Sequence, residues 1–469
     1  MNKLLTIILD TDSYKFSHFV QFPYKFNDKP TKVWYYVESR VDDVEMVHFG
    51  LQAFIKEYLT TPITEEDVKI AGKIVSAHGC PFNYDGWMKI VDRHGGYLPI
   101  KIEALPEGTI IDSHKAVAQI TNTDDDCAWL VSYLETALLR AIWYPSTVAT
   151  ISRNIKKYMR EIWKKTSDEP IDILDFKLHD FGSRGTSSQE TSLLGGMSHL
   201  VNFKGTDTVA ALVGVLQYYN DIRDNYVDGS MPGFSIPAAE HSTITSWGKD
   251  REVEAYENMI ERFGHEGKIF ACVSDSYDFR NAVENIWGKQ LKDQILKSGA
   301  TLVIRPDSGD PKEEVMFALD SLYKNFGGTV NSKGYRVLNP AVRIIQGDGL
   351  SFENIRDILD TMVEEKWAID NVTFGMGGGL LQKVNRDTFS FAMKISALMT
   401  KDGKIKEVYK KPVTDNSKES KKGILSTYRK DDKWITDNNA TKNEMVLIFQ
   451  NGKLLKEWTF DEVRRNASI

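Results

Sequence analysis

Cysteine is scarce. Cys80, Cys127 and Cys272 are odd in number, widely spaced and without a CxxC pair, which excludes a disulfide framework and offers neither a zinc ribbon nor a redox dithiol. A reducing compartment is the expectation. Neither HExxH nor HxH occurs, so the familiar zinc spacings are missing. Also absent is any uncharged apolar stretch approaching the roughly 18 residues of a membrane span. The run Leu4 to Leu9 follows Lys3, but Asp10 and Asp12 interrupt it before an h-region or cleavage site is complete; it reads as a buried strand, not a leader. Positive charge is not in surplus either. The 59 Lys and Arg against 66 Asp and Glu leave a net charge of −7, so nothing draws the whole chain to nucleic acid or anionic lipid. A phosphate ligand has to be held locally. These absences lead us to expect a cytoplasmic protein with neither nucleic acid nor membrane as partner.

What is present is ordinary globular material, with 41% hydrophobic and 27% charged residues, which argues against disorder and fibres. At 469 residues the chain exceeds one core, and about two to three domains are expected. The middle repeats one grammar of apolar run, polar or glycine-rich loop, then helix. Asp175 to Leu178 leads into HDFGSRGTSSQE, Ile269 to Val273 into SDSYD, Leu302 to Ile304 into RPDSGDP, Val342 to Ile345 into QGDG, and Val372 to Phe374 into GMGGG. Such alternation predicts parallel βα units, hence an α/β barrel or a doubly wound sheet. Ser187 with Glu190, and Asp310 with Pro311 and Glu313, read as helix starts. Outside this region the pattern changes. A strand is predicted at Val33 to Val37, a helix at Thr147 to Lys165, and short strands at Val446 to Phe449 and Leu454 to Phe460 around the turn Asn451-Gly452. Residues 1–168 and 387–469 are assigned to one strand-rich α+β domain and 169–386 to the α/β domain.

Ligand sites of parallel α/β folds lie in the loops at the carboxyl ends of the strands, and the polar clusters fall there. FGSRG places Arg184 ahead of a helix start, where guanidinium and amides can share a phosphate. The run Gly375 to Gly379, with Arg386 beyond it, reads either as a tight turn or as a loop that lets backbone approach an anion. RPDSGDP adds Arg305, Asp307 and Asp310, and QGDG adds Asp348; carboxylates there suit sugar hydroxyls or hydrated magnesium. His241 stands in SIPAAEHST, as a structural histidine or a catalyst. Lys401, Lys404, Lys406, Lys410, Lys411, Lys418, Lys421 and Lys422 form a basic run, read as a solvated loop or a polyphosphate entrance.

The segments DTDSYK (10–15), YPSTVAT (144–150), KLHDFGSRGTSSQE (177–190), HLVNFKGTDTV (199–209), IPAAEHSTIT (236–245), VSDSYD (273–278), IRPDSG (304–309), IQGDG (345–349), GGGLLQK (377–383) and SKKG (420–423) occur in one order along nearly the whole chain. Together they resemble the nicotinamide phosphoribosyltransferases, a group of type II phosphoribosyltransferases. The resemblance implies an irregular α/β barrel plus a strand-rich α+β domain, in a homodimer with active sites at the interface. It implies transfer of phosphoribose from 5-phosphoribosyl-1-pyrophosphate to nicotinamide, with Mg2+ and with ATP as a coupled co-substrate. Phe181 and Tyr14 of the partner subunit would sandwich the pyridine ring. Asp207 and Arg305 would address the carboxamide, Arg184, Gly378 and Arg386 the 5′-phosphate, and Asp307 and Gly347 the ribose. Asp12, Ser235, Asp348 and Gly377 complete the substrate positions, while Arg40, Lys394, Lys410 and Lys418 match phosphate positions for pyrophosphate or ATP. His241 matches the phosphorylated histidine, with Asp278 as supporting acid and Asp307 beside them. No protein metal site is implied. Ser183, Phe176 and Met376 depart from the animal pattern of tyrosine, tyrosine and serine. A nicotinate-specific enzyme, discriminated by Asp207, and a non-catalytic signalling protein are the competing readings.

Overall fold

Each apolar run of the central grammar becomes a parallel strand. The computed structural model describes residues 5–23, 28–219, 231–411, 419–438 and 441–469. In it Ile269–Val273, Thr301–Arg305, Val342–Gln346, Val372–Met376, Leu178–Asp180 and Gly205–Thr206 lie side by side in that order. Pairing is parallel throughout, with Phe270 opposite Leu302, Arg343 opposite Val303, Ile344 opposite Val372, Phe374 opposite Leu178 and His179 opposite Gly205. The segment 234–239 then joins the two outer strands. Thr206 N donates to Phe234 O at 3.0 Å, and Ala239 N donates to Ala271 O at 3.0 Å. That link closes the sheet into an irregular barrel, so backbone groups at both edges find partners.

Strand alternation separates two packed faces. Phe270, Cys272, Leu302, Ile304, Ile344 and Phe374 are fully buried, whereas Ala271, Val303 and Ile345 form another cluster with Phe181 and Ile236 packed on it. That second cluster is the floor of the site described below. Helices carry each crossover, as parallel pairing requires. Asp310 caps Pro311–Phe326 by accepting the Lys312 and Glu313 amides at 3.0 Å each. The expected cap at Ser187 is corrected to Ser188, which accepts Thr191 N at 3.1 Å; Ser187 N is taken by Gln382 Oε1 at 3.0 Å.

The other sheet is antiparallel and has seven strands, in the order Ile405–Glu407, Phe391–Thr400, Pro30–Ser39, Ala116–Asn122, Ile100–Ala104, Val446–Gln450 and Lys453–Leu454. It takes strands from early and late in the sequence. Asn451 and Gly452, at φ 50° and 80°, make its last turn, the pair of positive φ values that a two-residue hairpin favours. Trp87 anchors an aromatic cluster in this unit, edge-on to Trp129 and to Tyr133 at 5.1 Å each.

Four expectations change. Residues 5–10 form a turn, with Leu9 N and Asp10 N both on Thr6 O, and not a strand. The helix expected from Thr147 runs Glu135–Thr166 and contains Pro145; a proline lacks the helix donor, so the pattern suggests a start beyond it. The strand expected to reach Phe460 ends at Leu454, and Phe460–Asn466 is a helix capped by Thr459 and Glu462. The described residues divide into two compact units, one drawn from 1–150, 215–222 and 385–468, the other from 151–214 and 223–384. The first division therefore falls inside Glu135–Thr166, not at 168, and residues 215–219 join the antiparallel unit. There Tyr219 stacks on Phe49 at 5.3 Å and Tyr218 O accepts Gln52 Nε2 at 2.8 Å, contacts that no local pattern announces.

Candidate active site

Phe181 is the first residue beyond Leu178–Asp180, and its amide donates to Met376 O at 3.0 Å. Its ring occupies space left by two glycines. A Cβ on Gly375 would sit 2.1 Å from Phe181 Cε2, and one on Gly347 2.9 Å from the same atom. Gly347, expected at the ribose, thus makes room for the ring. Arg305 adds a cation with its Cζ 5.6 Å from the ring centroid. Behind the ring, buried Asp180 accepts Gly182 N at 2.7 Å through Oδ1, and its carbonyl accepts Asp207 N at 2.9 Å. Burial pushes the Asp180 carboxyl up to about 6.

Asp207 and Ser235 are brought together across the closing segment, Ser235 Oγ donating to Asp207 Oδ1 at 2.5 Å. The helix after Asp207 begins only at Val209, and Thr208 N is taken by Thr206 Oγ1 at 3.0 Å. The Asp207 carboxylate is thus engaged by Ser235, two residues ahead of the start of that helix. Arg305 Nε donates to Asp307 Oδ1 at 3.1 Å, and Asp307 Oδ2 lies 3.7 Å from His241 Nδ1. On the other side His241 Nε2 is 2.9 Å from Asp275 Oδ1, whose Oδ2 accepts Ser308 Oγ at 2.5 Å. A carboxylate only accepts, so Nε2 is the donor toward Asp275, while Nδ1 faces Asp307 at the longer distance.

Asp275 carries no local signal that would single it out in the sequence. It stands two places beyond Ile269–Val273, and its side chain is 3% exposed. Asp278, expected in this role, caps the next helix by accepting Asn281 N at 2.9 Å. A mutation distinguishes the two acids. Asp278→Ala should lower unfolding stability by about 1 kcal/mol through the lost cap while leaving the kinetics of the histidine step intact; a denaturation curve beside a rate measurement checks both.

Arg184 is exposed beside a cavity of ≈ 500 Å³ lined by Ser183, Thr186, Ser187, Ser188, Gln189, Ser192 and Ala210. Ser183 and Ser192 share a hydrogen bond of 2.8 Å there. The Gly378 loop reaches the same place, since a Cβ on Gly185 would meet Gly378 at 3.6 Å. Gly378 itself is open to approach, with no atom within 4 Å of the point a Cβ would occupy. A Cβ on Gly377 would lie 3.4 Å from Phe181 O, and Met376 fills the space under Gly379, its Cε 2.9 Å from a Cβ there. Asp348 is exposed in the turn beyond Val342–Gln346.

The remaining expected residues lie in the antiparallel unit. Asp12 accepts Thr136 Oγ1 at 2.6 Å, and Tyr14 is 58% exposed with Lys15 Nζ 5.0 Å from its ring centroid. Arg40 pairs with Glu38 at 2.9 Å, Lys394 lies 3.9 Å from Glu135, and Arg386 pairs with Asp387 at 2.9 Å. Lys410 N donates to Ser420 Oγ at 2.8 Å. Lys418 lies outside the described residues. Of the other lysines of the basic run, Lys406, Lys411 and Lys422 are paired with Asp28, Glu419 and Glu407.

Residues 176–453, which carry the Phe181, Asp207, His241 and Arg305 constellation, match the nicotinate phosphoribosyltransferase (NAPRTase) family. The chain belongs to that family. Residues 6–102 also match the nicotinamide phosphoribosyltransferase N-terminal domain. Among relatives of this phosphoribosyltransferase, a nicotinamide phosphoribosyltransferase of Xanthomonas campestris pv. campestris is 47% identical, over 100% of this chain and 99% of its own length. One from Acinetobacter baylyi is 32% identical, over 91% and 89%. In fold it is similar to the nicotinate-nucleotide pyrophosphorylase of Pyrococcus furiosus, with a TM-score of 0.59 at 17% identity over 98% and 94% of the two chains. Among the described residues of this family member no cluster of three or more His, Cys, Asp and Glu is placed to hold a metal ion. Nor is any helix there long and apolar enough to cross a membrane.

Proposed function

We propose that the chain transfers phosphoribose from 5-phosphoribosyl-1-pyrophosphate to nicotinamide, forming nicotinamide mononucleotide and pyrophosphate for NAD synthesis, with ATP hydrolysis coupled through His241. The carrying observation is the Phe181 ring with Arg305 Cζ 5.6 Å from its centroid, and the Asp207–Ser235 pair tied by the Asp207 amide to Asp180 O, one residue before that ring. An aromatic face takes a pyridine ring, and a carboxylate beside it accepts the amide N–H of nicotinamide. The relatives named nicotinamide phosphoribosyltransferase, matched over 99% and 89% of their length, support the reading.

In this scheme the pyridine nitrogen attacks ribose C1 and the C1–O bond to the diphosphate breaks, its electron pair leaving with the oxygen. Asp307, held by Arg305, would face the positive charge that develops on ring and sugar. Arg184, the Gly378 loop and Arg386 would hold the 5′-phosphate, and Arg40, Lys394 and Lys410 the diphosphate or ATP phosphates. Magnesium would arrive with the diphosphate as part of the substrate, since the described carboxylates do not converge on a resident ion. For coupling, His241 Nδ1 would take the γ-phosphoryl group, a P–N bond forming as the P–O bond to ADP breaks, and water would later release phosphate. Asp275 on Nε2 would hold the tautomer that this requires. The working form is a homodimer with Tyr14 of the partner subunit closing the sandwich, in the cytoplasm, where the three free cysteines stay reduced.

The test is a product assay with nicotinamide or nicotinic acid plus 5-phosphoribosyl-1-pyrophosphate, with and without ATP. Turnover of nicotinamide, stimulated by ATP, is expected. His241→Ala should lose the stimulation and keep a slower basal transfer, because imidazole serves coupling and not the attack on ribose. Full stimulation in that variant would remove the phosphohistidine from the scheme, and no turnover of nicotinamide by the wild type would remove the scheme.

A further inference from the structure

On Pro30–Ser39, the residues Tyr36 and Glu38 stand two apart on one face of the strand, and Arg40 follows at the same spacing just past its end. Glu38 is 2% exposed, yet its carboxylate meets two cations. Arg40 Nε donates to Oε1 at 2.9 Å, and Lys421 Nζ, from the SKKG segment, donates to Oε2. The Tyr36 hydroxyl accepts Lys421 N at 2.9 Å and donates to Glu38 Oε1 at 3.4 Å. Lys410 is tied to the same segment, because Ser420 N donates to Lys410 O at 2.9 Å.

Charge around this carboxylate is not balanced. Among the described residues Glu38 pairs with Arg40 and Lys421, Glu135 with Lys15 and Lys394, and Asp387 with Arg386, so five cations face three carboxylates. They also feel one another. Burial first, and then the charges of Arg40, Lys15 and Arg386, hold Lys394 below the ordinary lysine range against the opposing pull of Glu135. Arg40 Nη2 is buried and has no hydrogen-bond partner among the described residues, although a guanidinium nitrogen without an acceptor is costly. An excess of positive charge with a donor left over calls for a multiply charged anion.

We propose that Lys421 is a direct ligand of the diphosphate, and that Glu38 is a positioning residue which holds Lys421 and Arg40 as a preassembled clamp for it. Without the buried carboxylate the two cations would repel and separate. With it, each has one donor committed to Glu38 and others left for phosphate oxygens. The clamp rests on the phosphoribosyl-transfer reading, and it adds to that reading two residues outside the phosphate group assigned above.

The experiment uses full-length protein and inorganic pyrophosphate as probe. Lys421→Met should weaken pyrophosphate binding, followed by calorimetry, and raise the KM for 5-phosphoribosyl-1-pyrophosphate by about tenfold or more, as the loss of a charge-assisted bond implies. The KM for nicotinamide should stay within about twofold. Glu38→Gln should act in the same direction, and adding Lys421→Met to it should cost less than in the wild type, because contacting residues are not additive. Lys433→Met, an exposed lysine on the Lys433–Asp437 strand, is the control and should change nothing. If wild type binds pyrophosphate and Lys421→Met binds it equally well, the clamp is wrong and the transfer reading stands. If wild type neither binds pyrophosphate nor turns over nicotinamide, the reading itself fails and the clamp with it. Should Glu38→Gln not fold, the Lys421→Met comparison decides alone.

Discussion

Gly375→Ala is expected to lower kcat/KM for nicotinamide at least about a hundredfold, the equivalent of roughly 2.7 kcal/mol. The added Cβ would lie 2.1, 2.3 and 2.9 Å from three atoms of the Phe181 ring, distances that no carbon pair sustains. The ring's Cε2 edge also lies close to Gly347 and Arg305 stands 5.6 Å from its centroid, so the ring cannot keep its present seat. It must swing out, and the platform for the base goes with it. Overpacking also costs about 1–3 kcal/mol of stability, so folding has to be followed by circular dichroism beside the kinetics. A double-mutant cycle separates the two effects. Once Phe181→Ala has removed the ring, Gly375→Ala should cost little more, since the atom it strikes is gone. A single Gly375→Ala variant with kinetics within about threefold of wild type would show that the ring is not the base platform.

Asp207→Asn is expected to cut the preference for nicotinamide over nicotinic acid by about a hundredfold, comparing kcat/KM ratios. Asp207 is held in place by Ser235 at 2.5 Å and by its own amide on Asp180 O at 2.9 Å. In the proposed site nicotinamide would give this carboxylate an N–H to accept, whereas nicotinate would bring a second negative charge against it. Asparagine removes that repulsion and still accepts from Ser235, so the pocket keeps its shape. Use of nicotinamide should fall and use of nicotinate should rise. Equal losses for both bases, together with a lower Tm, would make Asp207 structural and leave base choice to other groups.

Some of this architecture was legible in the sequence because it is local. The strands Ile269–Val273, Thr301–Arg305, Val342–Gln346 and Val372–Met376 are near-continuous apolar runs ended by glycine and aspartate, the mark of parallel strands buried on both faces. The Asp310 cap was legible for the same reason, since side chain and amides lie within three residues. The link 234–239 was not, because its two partners, Phe234 with Thr206 and Ala239 with Ala271, are irregular bridges without period. The start of Glu135–Thr166 was hidden by Pro145, which tertiary packing overrides where Ala137, Leu138 and Ile142 are buried.

The sequence by itself determined which chemistry the strand ends carry: an aromatic at Phe181, a histidine at His241, and acids and arginines at Asp207, Arg305 and Asp307. Only the tertiary structure decided how they are joined. Asp275 and Asp278 share one motif three residues apart, yet one meets His241 and the other caps a helix. Gly347, matched to a ribose position, and Gly375, read as part of a tight turn or an anion loop, also leave the space for an aromatic ring, and Glu38 draws Lys421 to Arg40 from 383 residues away. Periodicity, caps and turns are settled within a few residues by the backbone's own dihedral and hydrogen-bond preferences. Contacts across a sheet depend on strand order and register, which are set by the burial of the whole core and are written in no single segment.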